Sequence, residues 1–118
     1  FSGSAVIEAD PQRLRQVFLN LGLNALDAMA DGGELSVSTA ERNGLVSISF
    51  KDTGKGIKPS DLEKIFFPFF TTKEKGTGLG LSIAYRIISD HNGLISVRSR
   101  PDKGAEFSVL LPKRHELH

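Results

Sequence analysis

Apolar residues recur every three or four positions between residues 11 and 29, which is the spacing of one face of an α-helix. Asp10-Pro11 stands before this segment, and because Asp caps a helix and Pro tolerates its first turn, the pair predicts where the helix begins. Gly32-Gly33 predicts where it stops. The predicted buried face consists of Leu14, Val17, Phe18, Leu21, Ala25, Ala28 and Met29.

The pattern then changes to alternation, which indicates half-buried β-strands. Two such segments, with Leu35, Val37 and Thr39 in one and Val46, Ile48 and Phe50 in the other, are joined at Asn43-Gly44, a typical hairpin turn. LISVRS and AEFSVLL predict two final strands, joined by the turn PDKG and ended by Pro112. SAVIEA at residues 4–9 predicts a further short strand before the long helix.

Two more helices are predicted between these strands. Ser60 and Glu63 form a capping-box pattern that predicts a short helix through Phe66. A longer helix is predicted from about Gly78 to His91, ended by Asn92-Gly93. Its apolar positions are Leu79, Leu81, Ile83, Ala84, Ile87 and Ile88. The order β-α-β-β-α-α-β-β predicts an α+β fold, a two-layer α/β sandwich in which three helices pack on one face of a five-stranded mixed sheet.

Composition narrows the class of protein. A chain of 118 residues is sufficient for one domain, 1–118, and its net charge of +1 does not indicate a basic nucleic-acid-binding arm. The absence of cysteine excludes disulfides and thiolate chemistry, and no apolar run is long enough to cross a bilayer. Since the chain does not begin with Met, we expect a fragment of a larger protein, and FSGS at 1–4 is a candidate cloning remnant.

Polar residues of the long helix form the first candidate site. Asn20 and Asn24 are four residues apart and share a helix face, with Asp27 about one turn further on. They can simply be a solvated stripe. Alternatively, a neutral amide oxygen can bind Mg²⁺ that is already held by nucleotide phosphates, because Mg²⁺ needs few protein ligands.

The segment DTGKGI, residues 52–57, is the second candidate. Asp52 ends a predicted strand, and two glycines after it would let the backbone approach a ligand closely. A carboxylate there could accept a hydrogen bond from the exocyclic amine of adenine, whereas guanine offers an acceptor and would be rejected. An ordinary glycine turn capped by Asp52 is the alternative.

The third candidate is the glycine-rich segment FTTKEKGTGLGLSIAYRIISDHNG, residues 70–93. Its glycines precede a helix whose first amides favour phosphate, and Lys73 and Lys75 add positive charge. A flexible connector is the alternative, and neither the P-loop nor the dinucleotide-binding pattern is present. IFFPFF at 65–70 predicts an aromatic anchor at the base of a mobile lid.

Taken together, these motifs closely resemble the ATP-binding catalytic domain of bacterial sensor histidine kinases, within the superfamily that includes gyrase, the Hsp90 chaperone and MutL. NLGLNALDAM is similar to that family's N box, DTGKGI to its first glycine box, IFFPFFTTK to its F box and GTGLGL to its second glycine box. NALDAM and FFTTK are most similar to the subgroup of nitrogen-regulation and dicarboxylate sensors. The resemblance covers nearly the whole chain and implies a Bergerat-type ATP-binding fold.

The resemblance also implies roles for individual residues. Asn24 would coordinate Mg²⁺, Asn20 would contact the phosphates or their waters, and Asp52 would bind the adenine amine. Gly54, Gly56 and Ile57 would shape the base pocket, and Lys73 would meet a phosphate. Asn20, Asn24 and Lys73 are thus the implied catalytic residues. The implied lid consists of Thr71, Thr72, Lys73, Gly76, Thr77, Gly78, Leu79, Gly80 and Leu81. Whether Asp27 reaches the metal through water or faces solvent is open.

One departure from ATPases of the superfamily concerns mechanism. Those ATPases carry a glutamate one turn before the magnesium asparagine, and here that position is Asn20, whose amide cannot accept a proton from water. We therefore expect slow hydrolysis, with ATP held for in-line attack by a histidine from another domain. His115-Glu116 stands too near the chain end to begin a phosphoacceptor helix, so the fragment alone should not phosphorylate itself.

The implied partners are the phosphoacceptor-histidine dimerisation domain of the parent protein and, through it, a response regulator. We expect a cytoplasmic location, no nucleic acid partner and no direct membrane contact by this fragment, although the parent could be membrane-anchored. Two other functions remain open. One is a conformational switch or interaction module operated by nucleotide, and the other is a serine kinase of the anti-sigma type on the same fold.

Overall fold

A computed structural model describes residues 9–68, 70 and 80–113. Three helices are present in these residues: α1 (Pro11–Ala28), α2 (Pro59–Leu62) and α3 (Gly80–Asp90). Four strands accompany them: β1 (Leu35–Arg42), β2 (Leu45–Asp52), β3 (Leu94–Ser99) and β4 (Ala105–Pro112). The α+β class and the three helices are confirmed.

The described strands form one antiparallel sheet in the order β1-β2-β4-β3. The predicted five-stranded mixed sheet is wrong for this part of the chain, which contains four strands and no parallel pair. Residues 4–8 of the predicted first strand lie outside the described residues, and Ala9 is not in a strand. The hairpin turn is confirmed, because Asn43 and Gly44 both have positive φ, 54° and 80°, as a two-residue type I′ turn requires.

The first helix begins as its sequence predicts. The Asp10 carboxylate accepts hydrogen bonds from the backbone N–H groups of Gln12 and Arg13, at 3.0 and 3.3 Å, and Pro11 occupies the first turn. The helix ends at Ala28, four residues before the predicted stop, and the following turn is closed by the Gly32 N–H, which donates to the Met29 carbonyl at 2.9 Å.

The predicted capping box of the second helix is wrong. Lys58 occupies the N-cap position without a side-chain hydrogen bond, and Pro59 begins the helix, so Ser60 already lies inside it. Proline is favoured in the first turn because its missing N–H would have no partner there. The helix also ends at Leu62, before Phe66.

The core lies between one face of the sheet and helices α1 and α3. Every second residue of β4 is buried, and the inward residues of β2 and β4 pair directly, as Phe50 does with Phe107. The core cluster comprises Leu14, Val17, Leu21, Phe50, Ile65, Ala84, Ile87, Ile88, Ile95, Ala105, Phe107, Val109 and Leu111. Each fully buried aliphatic or aromatic side chain contributes roughly 1.5–3 kcal/mol to folding, so this face of the sheet fixes where the helices lie.

Two predicted half-buried positions of β1, Val37 and Thr39, are exposed, and so is one apolar position of α3, Ile83. Val37 on β1 is 55% exposed although it pairs with buried Phe50, because the helices pack mainly over the other strands and β1 lies at the edge of the sheet. Ile83 on α3 is 41% exposed, whereas Ala84, Ile87 and Ile88 form the buried face of this helix. The predicted half-burial of Val37 and Thr39 is therefore wrong.

Helices α1 and α3 run antiparallel, and hydrogen bonds and an ion pair connect the start of α1 with the end of α3. The Asp10 N–H donates to His91 Nε2 at 3.0 Å, and His91 Nδ1 lies 2.8 Å from the Ile87 carbonyl. Since a carbonyl only accepts, Nδ1 carries the proton and Nε2 is free to accept. Arg13 adds an ion pair to Asp90 at 2.6 Å.

This ion pair predicts a pH-dependent contribution to stability. The hydrogen bond from Arg13 lowers the pKa of the Asp90 carboxyl below its ordinary value of 3.8. A lowered pKa in the folded state means that the contribution is complete above pH 3.8 and is lost as the pH falls through the folded-state pKa. We expect Asp90→Asn to lower the urea midpoint slightly at neutral pH and not at all well below pH 3.8, because the pair is exposed. Asp31→Asn, at an exposed turn, controls for the lost charge. An Asp90→Asn effect equal at both pH values would contradict the assignment.

Candidate nucleotide-binding site

Asp52 is the buried acidic residue of the described chain, with 2% of its surface exposed. The alternation that buries Val46 and Phe50 of β2 also turns Asp52 to the inner face, at the last position of the strand. Its Oδ1 accepts hydrogen bonds from the N–H groups of Gly54, at 2.8 Å, and Ala105, at 3.3 Å. These bonds fix the orientation of the carboxylate. The bond to Gly54 is the capped turn that the sequence left open as an alternative, so Asp52 has a structural role in addition to any role in binding.

The segment that follows Asp52 packs tightly against its neighbours, as its glycines predict. A Cβ atom on Gly54 would lie 2.4 Å from the Ala28 carbonyl oxygen, and the Lys55 N–H donates to that same oxygen at 3.1 Å. Gly56 has φ of 74°, and a Cβ there would lie 2.0 Å from the Arg100 carbonyl oxygen. The segment is therefore held between the end of α1 and the turn that joins β3 to β4.

Ser99 connects this segment to that turn. Its hydroxyl accepts from the Ile57 N–H at 2.8 Å and donates to the Gly104 carbonyl at 2.7 Å. Ile57 itself is half-buried and packs against the core. The sequence prediction missed Ser99, although the alternation Ile95, Val97, Ser99 already marks it as a polar residue on the inner face of β3.

Asn20 and Asn24 lie half-buried on the same face of α1. Asn20 Nδ2 donates to the carbonyl of Gly80, the first residue of α3, at 3.0 Å. Eight residues further along α1, about 12 Å at 1.5 Å per residue, Ala28 contacts the DTGKGI segment. Asn24 lies between these two contacts, and Asp27 is exposed. The structure thus places the amides between the start of α3 and the loop after Asp52.

Of the predicted lid in the glycine-rich segment, the structure describes only the last two residues, Gly80 and Leu81. Gly80 begins α3, and Leu81 is half-buried and packs against the core. The other predicted lid residues, Thr71, Thr72, Lys73, Gly76, Thr77, Gly78 and Leu79, lie outside the described residues. Their roles, and the role of Lys73 as a catalytic residue, remain predictions.

The aromatic segment before the predicted lid is partly buried. Ile65 is 6% exposed, and the ring of Phe66 packs edge-to-face on Phe107 and tilted against Tyr85, with centroid distances of 6.3 and 5.4 Å. Phe67, in contrast, is 59% exposed. Phe66 and Phe70 both pack against the core, and Phe69 lies outside the described residues. Their role as an anchor for a lid remains a prediction.

Residues 9–115 match the family described as histidine kinase-, DNA gyrase B- and HSP90-like ATPase. The chain belongs to this family. The match covers both amide residues of α1, Asp52 with its glycine segment, and the start of α3, so the resemblance seen in the sequence motifs is confirmed.

Named relatives include sensor histidine kinases and sporulation kinases. The chain is 51% identical over 106 residues to sensor histidine kinase ZraS of Escherichia coli O157:H7, a match that covers 90% of this chain and 23% of ZraS. It is 45% identical over 111 residues to sporulation kinase A of Bacillus subtilis strain 168, covering 94% of this chain and 18% of that kinase. The chain thus spans about a quarter or less of these relatives.

The fold is also that of a solved histidine kinase domain. The nucleotide-free catalytic domain of histidine kinase ThkA superimposes with a TM-score of 0.81 at 42% identity, over 91% of this chain and 70% of that one. In the described parts of the present chain, no helix is both long and apolar enough to span a bilayer.

Proposed function

We propose that this chain is the ATP-binding catalytic domain of a two-component sensor histidine kinase. It would present the γ-phosphate of Mg-ATP to a phosphoacceptor histidine on another domain of the parent protein, for onward transfer to a response regulator. Family membership and the sensor kinase relatives support the class of activity. The main structural support for a nucleotide site is Asp52, a buried carboxylate held in one orientation beside the glycine segment.

Asp52 is suited to recognise adenine. Both bonds to its Oδ1 come from backbone N–H groups, so the side chain cannot turn without losing them. We infer that Oδ2 accepts the hydrogen bond from the exocyclic amine of the base. Gly54, Gly56 and Ile57 would shape the pocket, because the close contacts of both glycines with neighbouring backbone hold this segment beside Asp52.

The amides of α1 are suited to the phosphate end of the nucleotide. They are uncharged, so they do not repel a polyphosphate, and Asn20 lies next to the start of α3, where helix N–H groups favour anions. We propose Asn24 as the protein ligand of Mg²⁺, which when bound would neutralise phosphate charge, and Asn20 as a phosphate contact. Lys73 and the other lid residues would complete this end.

Neither amide at the phosphate end, Asn20 or Asn24, can act as a base toward water, and Asp52 is assigned to the adenine end. Positioning of the γ-phosphate for in-line attack by a histidine would then supply most of the rate. We propose that the domain works in the cytoplasm, next to the phosphoacceptor domain of its parent.

Phosphoryl transfer to a separate acceptor tests the proposal. The chain is mixed with γ-labelled ATP and the separately produced phosphoacceptor helical domain of the parent protein. We expect acid-labile label on a histidine of the acceptor and none on this chain when it is incubated alone.

The same experiment distinguishes the other functions. Rapid phosphate release without transfer would favour an ATP-operated switch. Acid-stable label on a serine would favour the anti-sigma type of kinase. Either result would overturn the proposal, and an acceptor with its histidine replaced by alanine controls for label at other positions.

A further inference from the structure

The Asn20 side chain has a hydrogen-bond partner on each side of its amide. Its Nδ2 donates to the Gly80 carbonyl of α3 at 3.0 Å, and its Oδ1 accepts from Nε2 of Gln16 at 2.8 Å. Gln16 lies one turn earlier on the same face of α1, the i, i+4 spacing at which amide side chains meet. The three groups form a chain of hydrogen bonds from α1 to the first residue of α3.

The Gly80 carbonyl determines the direction of these hydrogen bonds. The Gly80 carbonyl can only accept a hydrogen bond, so the NH₂ group of Asn20 must face it. Asn20 Oδ1 then faces Gln16, which must present its own NH₂ group. A turned Asn20 amide would place two acceptors against each other at Gly80 and two donors against each other at Gln16.

A bound phosphate would require the same orientation of the Asn20 amide. Phosphate oxygens accept hydrogen bonds, as the Gly80 carbonyl does, and a bond from an amide N–H to a charged oxygen is about twice as strong as a neutral one. The orientation that Gln16 maintains is therefore the orientation in which Asn20 can donate to a nucleotide. Gln16 is exposed on α1 and bonds through its side chain to Asn20, so it acts on this amide without forming part of the core.

We propose that Gln16 is a positioning residue for nucleotide binding, which keeps the NH₂ group of Asn20 directed at the phosphate side of the site. This inference rests on the proposed function and on the role of Asn20 in it. Asn20 exchanges the Gly80 carbonyl for a phosphate oxygen when nucleotide binds, and Gln16 keeps the amide from turning during the exchange.

Two substitutions at Gln16 test this role by calorimetric titration. Gln16→Met keeps the length of the side chain and removes the donor without adding charge. Gln16→Glu keeps the shape and presents only acceptors, so it favours the turned amide. With a non-hydrolysable ATP analogue and Mg²⁺, we expect affinity to fall about fivefold for Gln16→Met and more than tenfold for Gln16→Glu.

Adenosine binding distinguishes a positioning role from a general loss of structure, because a general loss would weaken adenosine binding as well. It carries the base but no phosphate, so we expect both Gln16 variants to bind it as the unchanged protein does. Gln12→Glu, one turn earlier on the exposed surface of α1, is the control for charge and should bind the ATP analogue normally.

The possible outcomes separate the two proposals. If only Gln16→Glu lowers the affinity for the ATP analogue, charge repulsion explains the effect and the positioning role is overturned. If both variants lose affinity for adenosine as much as for the ATP analogue, Gln16 has only a structural role and the positioning role is again overturned. If the unchanged protein binds neither ligand, the proposed function itself fails.

Discussion

Replacing Asp52 by Asn should lower the affinity for ATP by about tenfold to a hundredfold. A hydrogen bond to a charged group contributes roughly 1.5–3 kcal/mol, and a factor of ten corresponds to about 1.4 kcal/mol. The substitution keeps an oxygen that can accept from the N–H groups of Gly54 and Ala105, so the loop should stay in place. The NH₂ group takes the place of Oδ2, and it cannot accept a hydrogen bond from the adenine amine.

The same substitution should change the preference for the base. An NH₂ group can donate to the carbonyl oxygen of guanine, so the ratio of ATP to GTP affinity should fall in the Asp52→Asn variant. Titration calorimetry with both nucleotides measures this ratio, and Asp31→Asn at an exposed turn is the control for the lost charge. Unchanged ATP affinity in Asp52→Asn, with the fold intact by circular dichroism, would refute the adenine assignment.

Replacing Gly104 by Ala should destabilise the fold by about 3 kcal/mol or more. Gly104 is buried in the turn before β4 and has φ of 77°, a conformation that costs other residues roughly 1–2 kcal/mol. A Cβ there would also lie 2.1 Å from the carbonyl oxygen of Asp52, which is backbone and cannot move aside alone. Steric overlap of this kind belongs to the small group of causes that produce large losses of stability.

Gly44→Ala provides a matched control for Gly104→Ala. Gly44 has a similar φ of 80°, but a Cβ on it would meet no atom within 4 Å. We expect it to cost only the conformational part, about 1–2 kcal/mol, so the two variants should differ by at least about 1–2 kcal/mol in urea unfolding. Because the overlap displaces the Asp52 backbone, Gly104→Ala should also weaken ATP binding, whereas Gly44→Ala should not. Equal stability losses would show that the turn does not lie against Asp52.

Part of the site could be predicted from local patterns alone. The strand alternation that buries Phe50 also carries Asp52 to the inner face, two residues later. The spacing of Asn20 and Asn24 places both on one side of α1, and two glycines after Asp52 indicate close approach of the backbone. Each of these relations lies within one helix, strand or turn, where the repeat of the backbone determines direction.

The remaining features depended on contacts between distant segments. Ser99 and Ile57 are 42 residues apart in sequence, and Asn20 and Gly80 are 60 apart, so no periodic pattern links either pair. The structure also showed that Asp52 already bonds the backbone of Ala105 on the neighbouring strand. The antiparallel pairing of β2 with β4 decided that contact.

The sequence by itself determined the order of the helices and strands in the described chain, and which face of most of them is apolar, because propensity and side-chain period act within a few residues. Only the tertiary structure decided which apolar positions are covered. Val37 and Ile83 carry the right period and remain exposed, since the helices pack mainly over the other strands and α3 turns Ala84, Ile87 and Ile88 inward instead. Burial is a property of two surfaces in contact, and a residue's own segment specifies only one of them.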